Sequence, residues 1–307
     1  MSGNSMQAIR VYEYGAVDQL KLEVAPRPEP KVGEVLVQLK AAGVNPADWK
    51  FRQGYMKAYV PLTFPLTPGL EGAGVVAAVG AGVTEFKPGD AVFGPIGGTY
   101  AQYTVAPVGD LALKPAKLLF EAAASVPVGA LTAWAAVEAA GIQPGQRVFV
   151  QGAAGGVGLF AAQLAKAKGA HVIGTASAVN PDFVRSLGVE AIDYDAAPFE
   201  TVVRDVDVVI DTVGGEVLQR SWDVLKPGGL LVSVAGRATE KEAQAKGKHF
   251  LSPRRAPASN LAAIAELISA GKLTPAIQAT FPLSEAAAAQ QLCETGHGRG
   301  RIVLNTN

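Results

Sequence analysis

The chain holds one cysteine and three histidines among 307 residues. Cys293 therefore has no partner for an intrachain disulfide, and its expected state is a small buried or half-buried thiol, not a nucleophile. A single thiol fits a reducing compartment. A zinc site needs about three or four Cys, His or carboxylate ligands. His171, His249 and His297 are scattered; the first is expected to open a strand and the other two to lie in loops. Charge of one sign is also missing, since Lys plus Arg and Asp plus Glu number 27 each. Without a net field, neither nucleic acid nor an anionic membrane is an expected partner. Long apolar runs are absent too. The segment Gly229–Gly236 falls well short of the roughly 20 residues that span a bilayer and reads as a buried parallel strand. The first residues lack a basic stretch followed by an apolar one, so a cytoplasmic location is expected.

What is present is length and a high apolar fraction of 49%, which together predict two domains able to enclose a cleft. Residues 1–125 are rich in Val, Gly and Pro, with alternating segments such as Val35–Lys40 and Gly74–Val79 set off by turn signals like Pro88-Gly89-Asp90. That texture predicts a β-rich lobe. From residue 126 the pattern becomes strand, Ala-rich helix, strand: Arg147–Gln151, Gly156–Lys168, His171–Thr175, then strands at Val206–Asp211 and Leu230–Ala235. Such alternation predicts a doubly wound parallel sheet over 126–271. A helix over Ala258–Ala270 leads away from the sheet, and residues 272–307 look β-like again and should rejoin the first lobe.

The strongest local motif is the run Gly152-Ala153-Ala154-Gly155-Gly156-Val157-Gly158 between a buried strand and a helix. Glycines 152, 155 and 158 permit a tight turn, close approach of a pyrophosphate and packing of helix on strand, while N–H groups at the helix start face an anion. No acid in the turn would repel phosphate. At the end of the second strand, Gly174-Thr175-Ala176-Ser177 carries no carboxylate to chelate an unphosphorylated ribose. Hydroxyls there, with Asn180 and Tyr194, would suit a 2′-phosphate, so NADP(H) is expected over NAD(H). Arg185 lies in the following helix.

Several segments in order, AAGVNPADWK, PGLEGAGVVAAVGAGVTEFKPGDAVFG, the GAAGGVG turn and GHGRGRIVL, resemble the zinc-free quinone oxidoreductase branch of the medium-chain dehydrogenase/reductase superfamily. The resemblance covers nearly the whole chain. It implies a GroES-like catalytic domain plus a doubly wound Rossmann domain. Where zinc-dependent relatives carry Cys and His, this chain has Asn45 and Leu70, and their four-cysteine lobe is absent, so no metal is expected. The resemblance further implies that Asn45 sits at the cleft floor beside the nicotinamide with Asp48 and Tyr55 near it, that Thr132 lies by the nicotinamide ribose, and that Ser177 and Tyr194 meet the adenosine phosphate. The family's usual basic residue two places after that serine is Val179 here. Asp48 could instead brace its turn, and Tyr55 could be a packed aromatic.

The implied activity is hydride transfer from NADPH to a quinone or another electron-poor carbonyl, with an enone or enoyl reductase as the alternative. A third reading, as for lens crystallins related to this family, is a non-catalytic NADPH-binding structural or sensory protein. A homodimer is the family expectation.

Overall fold

The computed structural model describes residues 4–307. They form two compact units, one of residues up to 128 with 257–269 and 275–307, the other of 129–256 with 270–274.

The first unit is built on β strands: β1 (Ser5–Arg10), β2 (Lys21–Pro26), β3 (Glu34–Val44), β4 (Gly72–Val79), β5 (Ala91–Gly94), β6 (Tyr103–Pro107), β7 (Ala112–Leu113) and, from the end of the chain, β14 (Ile277–Pro282) and β15 (Arg301–Asn305). β1 and β2 pair as a ribbon; the rest form one sheet in the order β14-β15-β3-β4-β5-β7, with β6 also on β3. Strand β3 is the hub. Its first half is buried at Val35, Leu36 and Val37 in succession, and Val35, Val37 and Leu39 pack against Val76, Val92 and Ile96. Its second half pairs antiparallel with β15, which ties the chain's closing segment to the β-rich unit. Ile302 and Leu304 of β15 then close a second core with Ile9, Val44 and Tyr100. Helix α1 (Pro46–Arg52) follows β3 directly, because Pro46 at the first helical position carries no N–H to orphan.

The second unit holds β8 (Arg147–Val150), β9 (His171–Ala176), β10 (Glu190–Asp193), β11 (Val206–Asp211), β12 (Leu225–Ser233) and β13 (His249–Leu251) in the order β10-β9-β8-β11-β12-β13. Every pairing in it is parallel. This is the doubly wound order with its switch between β8 and β11. Buried apolar strands are what a sheet covered on both faces requires, and Phe149, Val209, Leu231, Trp222 and Phe250 supply that core. His171 opens β9 as expected, whereas His249 opens β13 and is not in a loop.

The division differs from the sequence boundaries in one substantial place. Helix α9 (Leu261–Ser269), read with the parallel sheet, groups with the β-rich unit, burying Leu261 and Ile264 and packing on β7. Its amphipathic pattern announces a buried face but not which sheet receives it. No helix among the described residues is long and apolar enough to cross a membrane.

Candidate functional site

At the carboxyl end of β8 the backbone enters the glycine run. Gly152 adopts a left-handed φ of +68°, which strains any residue carrying a Cβ. Gly158 opens helix α4 (Gly158–Ala167), and a Cβ there would lie 2.0 Å from the carbonyl oxygen of Gly152. Turn and helix are thus in backbone contact. Gly155 is looser, its added Cβ meeting only the Gly152 oxygen at 3.3 Å. Among the described residues, the N–H groups of Gly156 and Val157 meet no acceptor. Unpartnered N–H groups at a helix start fit a pyrophosphate. The neighbouring helix α3 (Pro127–Ala140) brings Gly129 against this turn, since a Cβ on Gly129 would stand 2.4 Å from the Gly156 oxygen. Half-buried Thr132 follows three residues on, along the same side of the helix.

The end of β9 departs from the sequence expectation. Thr175 is buried at 2% exposure and does not offer its hydroxyl outward: it donates to Gln151 Oε1 at 2.9 Å and accepts the Gly152 N–H at 2.8 Å. The hydroxyl braces the glycine turn from beneath. Ser177 is half-buried, and its Oγ accepts from Asn180 Nδ2 at 3.0 Å, just before helix α5 (Pro181–Ser186). Tyr194 is exposed, while its backbone N–H donates to Ala176 O at 3.1 Å. Ser177, just after β9, and Tyr194, just after β10, therefore stand at neighbouring ends of two paired strands.

In the β-rich unit, Asn45 and Asp48 come together and Tyr55 does not join them. Asn45 is 1% exposed; its Nδ2 donates to Glu71 Oε1 at 2.8 Å and its Oδ1 accepts from Arg301 Nη2. Arg301 also donates to Glu71, whose other oxygen accepts the Val128 N–H at 2.7 Å. The amide is therefore held at both ends in one orientation. Asp48 braces the turn, its Oδ2 accepting the Asn45 N–H at 2.8 Å and the Tyr100 hydroxyl at 3.0 Å. Burial pushes the Asp48 carboxyl up to about 7, against the pull of those two hydrogen bonds. Behind it Arg52 donates to Gln290 and pairs with Glu294 at 2.5 Å, at the end of helix α10 (Ala286–Glu294). Half-buried Cys293 lies on the same helix, its thiol pushed up to about 11 by burial. Tyr55 is 68% exposed and makes one edge-on ring contact, with Trp49 at 5.9 Å.

Glu71 and Arg301 are thus the functional candidates that residue-by-residue reading passed over. The signal was available, since each is a charge in an otherwise apolar segment, GLEGAG and GRIVL. A buried charge demands a buried partner, but 230 residues separate these two. Among the described residues no group of three or more His, Cys, Asp or Glu is placed to hold a metal.

Comparison with known proteins agrees with this architecture. The family described as alcohol dehydrogenase GroES-like domain matches residues 31–116, and that described as zinc-binding dehydrogenase matches residues 187–304. The chain is 35% identical to a 2-methylene-furan-3-one reductase of Solanum lycopersicum, over 98% of this chain and 79% of that one. It is also 35% identical to an NADPH-dependent alkenal/one oxidoreductase, chloroplastic, of Arabidopsis thaliana, over 97% and 79%. The structure of the quinone oxidoreductase from Coxiella burnetii superposes with a TM-score of 0.88 at 35% identity, covering 99% of this chain and 100% of that one. The chain belongs to the quinone oxidoreductase branch of the medium-chain dehydrogenase/reductase superfamily, a family of oxidoreductases.

Proposed function

We propose that the chain is a zinc-independent reductase that passes hydride from a reduced nicotinamide dinucleotide to an electron-poor acceptor, a quinone or an α,β-unsaturated carbonyl. The observation that carries this reading is the turn at residues 152–158, where two unpartnered N–H groups front a helix that a Cβ at Gly158 would push away. Bound there, the dinucleotide supplies the hydride. Gly156 and Val157 hold its pyrophosphate, and Thr132 on α3 serves the nicotinamide ribose.

Asn45, which the family resemblance places beside the nicotinamide, is a neutral amide already committed to Glu71 and Arg301. It is suited to orienting through its remaining N–H, not to ligating a metal or moving a proton. That division suits quinones and enones. Hydride transfer to an enone gives an enolate and to a quinone a hydroquinone monoanion, and each delocalised oxyanion takes its one proton from solvent. Alcohol oxidation requires a proton to be removed first, the task for which a metal is commonly used.

The test is the Asn45→Ala variant. If the protein acts mainly by positioning, kcat/KM should fall by about ten- to a hundredfold, about 1.4 to 2.7 kcal/mol of transition-state stabilisation. Tyr55→Phe, whose hydroxyl lies outside the cluster, should change it less than about threefold. Unchanged kcat/KM in Asn45→Ala would remove Asn45 from the reaction.

A further inference from the structure

If residues 152–158 hold the pyrophosphate, the adenosine ribose falls at the end of the second strand, β9. Whether that ribose carries a 2′-phosphate is decided by the charges there. Residues 175–180, Thr-Ala-Ser-Ala-Val-Asn, contain none. The Thr175 hydroxyl is spent beneath the glycine turn. Val179, where the family usually carries a base, is 87% exposed. Arg185, the next cation along the chain, is paired with Asp182 of its own helix at 2.8 Å.

Among the described residues, the charged side chain seen hydrogen-bonded to this loop is negative. β10 runs parallel to β9 with Asp193 opposite Ala176, so the residues that follow each strand lie side by side. There the exposed Asp195 turns its carboxylate onto the loop, Oδ2 accepting the Ala178 N–H at 3.0 Å. Its own N–H donates to Asp193 Oδ1 at 2.9 Å, which fixes the corner. A phosphate monoester brings about −1.5 to −2 charge at neutral pH, whereas a ribose hydroxyl is a donor that a carboxylate welcomes.

We infer that Asp195 sets the dinucleotide preference of this chain, disfavouring a 2′-phosphate and suiting the site to NADH. The inference rests on the reading of residues 152–158 as the pyrophosphate site. It reverses the preference expected from the sequence, which looked for an acid at the end of β9 and could not see one delivered from beyond β10.

Calorimetric titration of the full chain with NADH, NADPH, 5′-AMP and 2′,5′-ADP tests it without relying on activity. NADH should bind about three- to tenfold more tightly than NADPH, with the same order between 5′-AMP and 2′,5′-ADP and a gap that narrows as salt rises. Asp195→Asn keeps an acceptor for the Ala178 N–H and removes the charge. It should tighten NADPH by about three- to tenfold relative to NADH, and adding Val179→Arg should carry the preference over to NADPH. Tighter NADPH binding by the unmodified chain, or an NADPH-to-NADH ratio untouched by Asp195→Asn, overturns the inference. Binding of neither dinucleotide overturns the underlying site, and the inference with it.

Discussion

Arg301→Met should lower the folding free energy by about 3–5 kcal/mol, because it leaves the Glu71 carboxylate buried without its cation. Glu71 has no measurable exposure, and Arg301 is 5% exposed. Two hydrogen bonds to Glu71 survive, from Asn45 and from the Val128 N–H, which places the expected loss toward the lower end of that range. Urea denaturation monitored by tryptophan fluorescence checks it as a fall in midpoint at unchanged slope. Adding Glu71→Gln removes the stranded charge and should recover a substantial part of the loss. If the single variant is as stable as the parent, the pair is not the internal brace described. Catalysis should not return with stability in the double variant, since Arg301 also fixes Asn45 Oδ1.

The second large effect is expected at Gly158. An alanine Cβ would be 2.0 Å from the Gly152 oxygen and 2.7 Å from its carbonyl carbon, both rigid backbone. Strand end and helix must separate, at a cost of about 1–3 kcal/mol or more. Displacement of the unpartnered N–H groups loses hydrogen bonds to a charged group, about 1.5–3 kcal/mol, and should weaken dinucleotide binding by about ten- to a hundredfold. Gly155→Ala is the informative companion. Its Cβ meets only one oxygen at 3.3 Å, so stability should change little while binding still falls, because the methyl occupies the surface where the pyrophosphate approaches. Paired thermal melts and dinucleotide titrations separate the two cases. Equal affinity in Gly158→Ala and the parent would show that the turn is packing alone.

The fold was legible in the sequence to the extent that its determinants are local. Buried strands such as Val206–Asp211 are short apolar runs, helix α4 follows its glycines, and each keeps close to its predicted limits. What failed was partner choice at long range. The amphipathic α9 gave no sign of which unit would bury it. Thr175 reads as a hydroxyl at a strand end, and only the β8–β9 pairing shows that it points beneath Gly152. Asp195 lies 18 residues beyond Ser177 and reaches that loop solely through the register of β10 on β9. Asn45 and Asp48 were identified through resemblance, but their roles follow from the burial of Glu71, Tyr100 and Arg301 around them. Tyr55 was placed near Asn45 through the same resemblance, and no local signal announced that it would stand exposed beside Trp49.

The central claim is that the chain transfers hydride to electron-poor acceptors by positioning, and a single-turnover experiment tests it most directly. Chelator-treated protein, saturated with NADH or NADPH, is mixed with a para-quinone, a conjugated alkenal or a saturated aldehyde, and loss of reduced nicotinamide absorbance is followed. The account predicts saturable oxidation, one nicotinamide per acceptor, with the quinone or the alkenal, and none above background with the saturated aldehyde. Tight dinucleotide binding without oxidation by either electron-poor acceptor would contradict it and favour a non-catalytic binding protein.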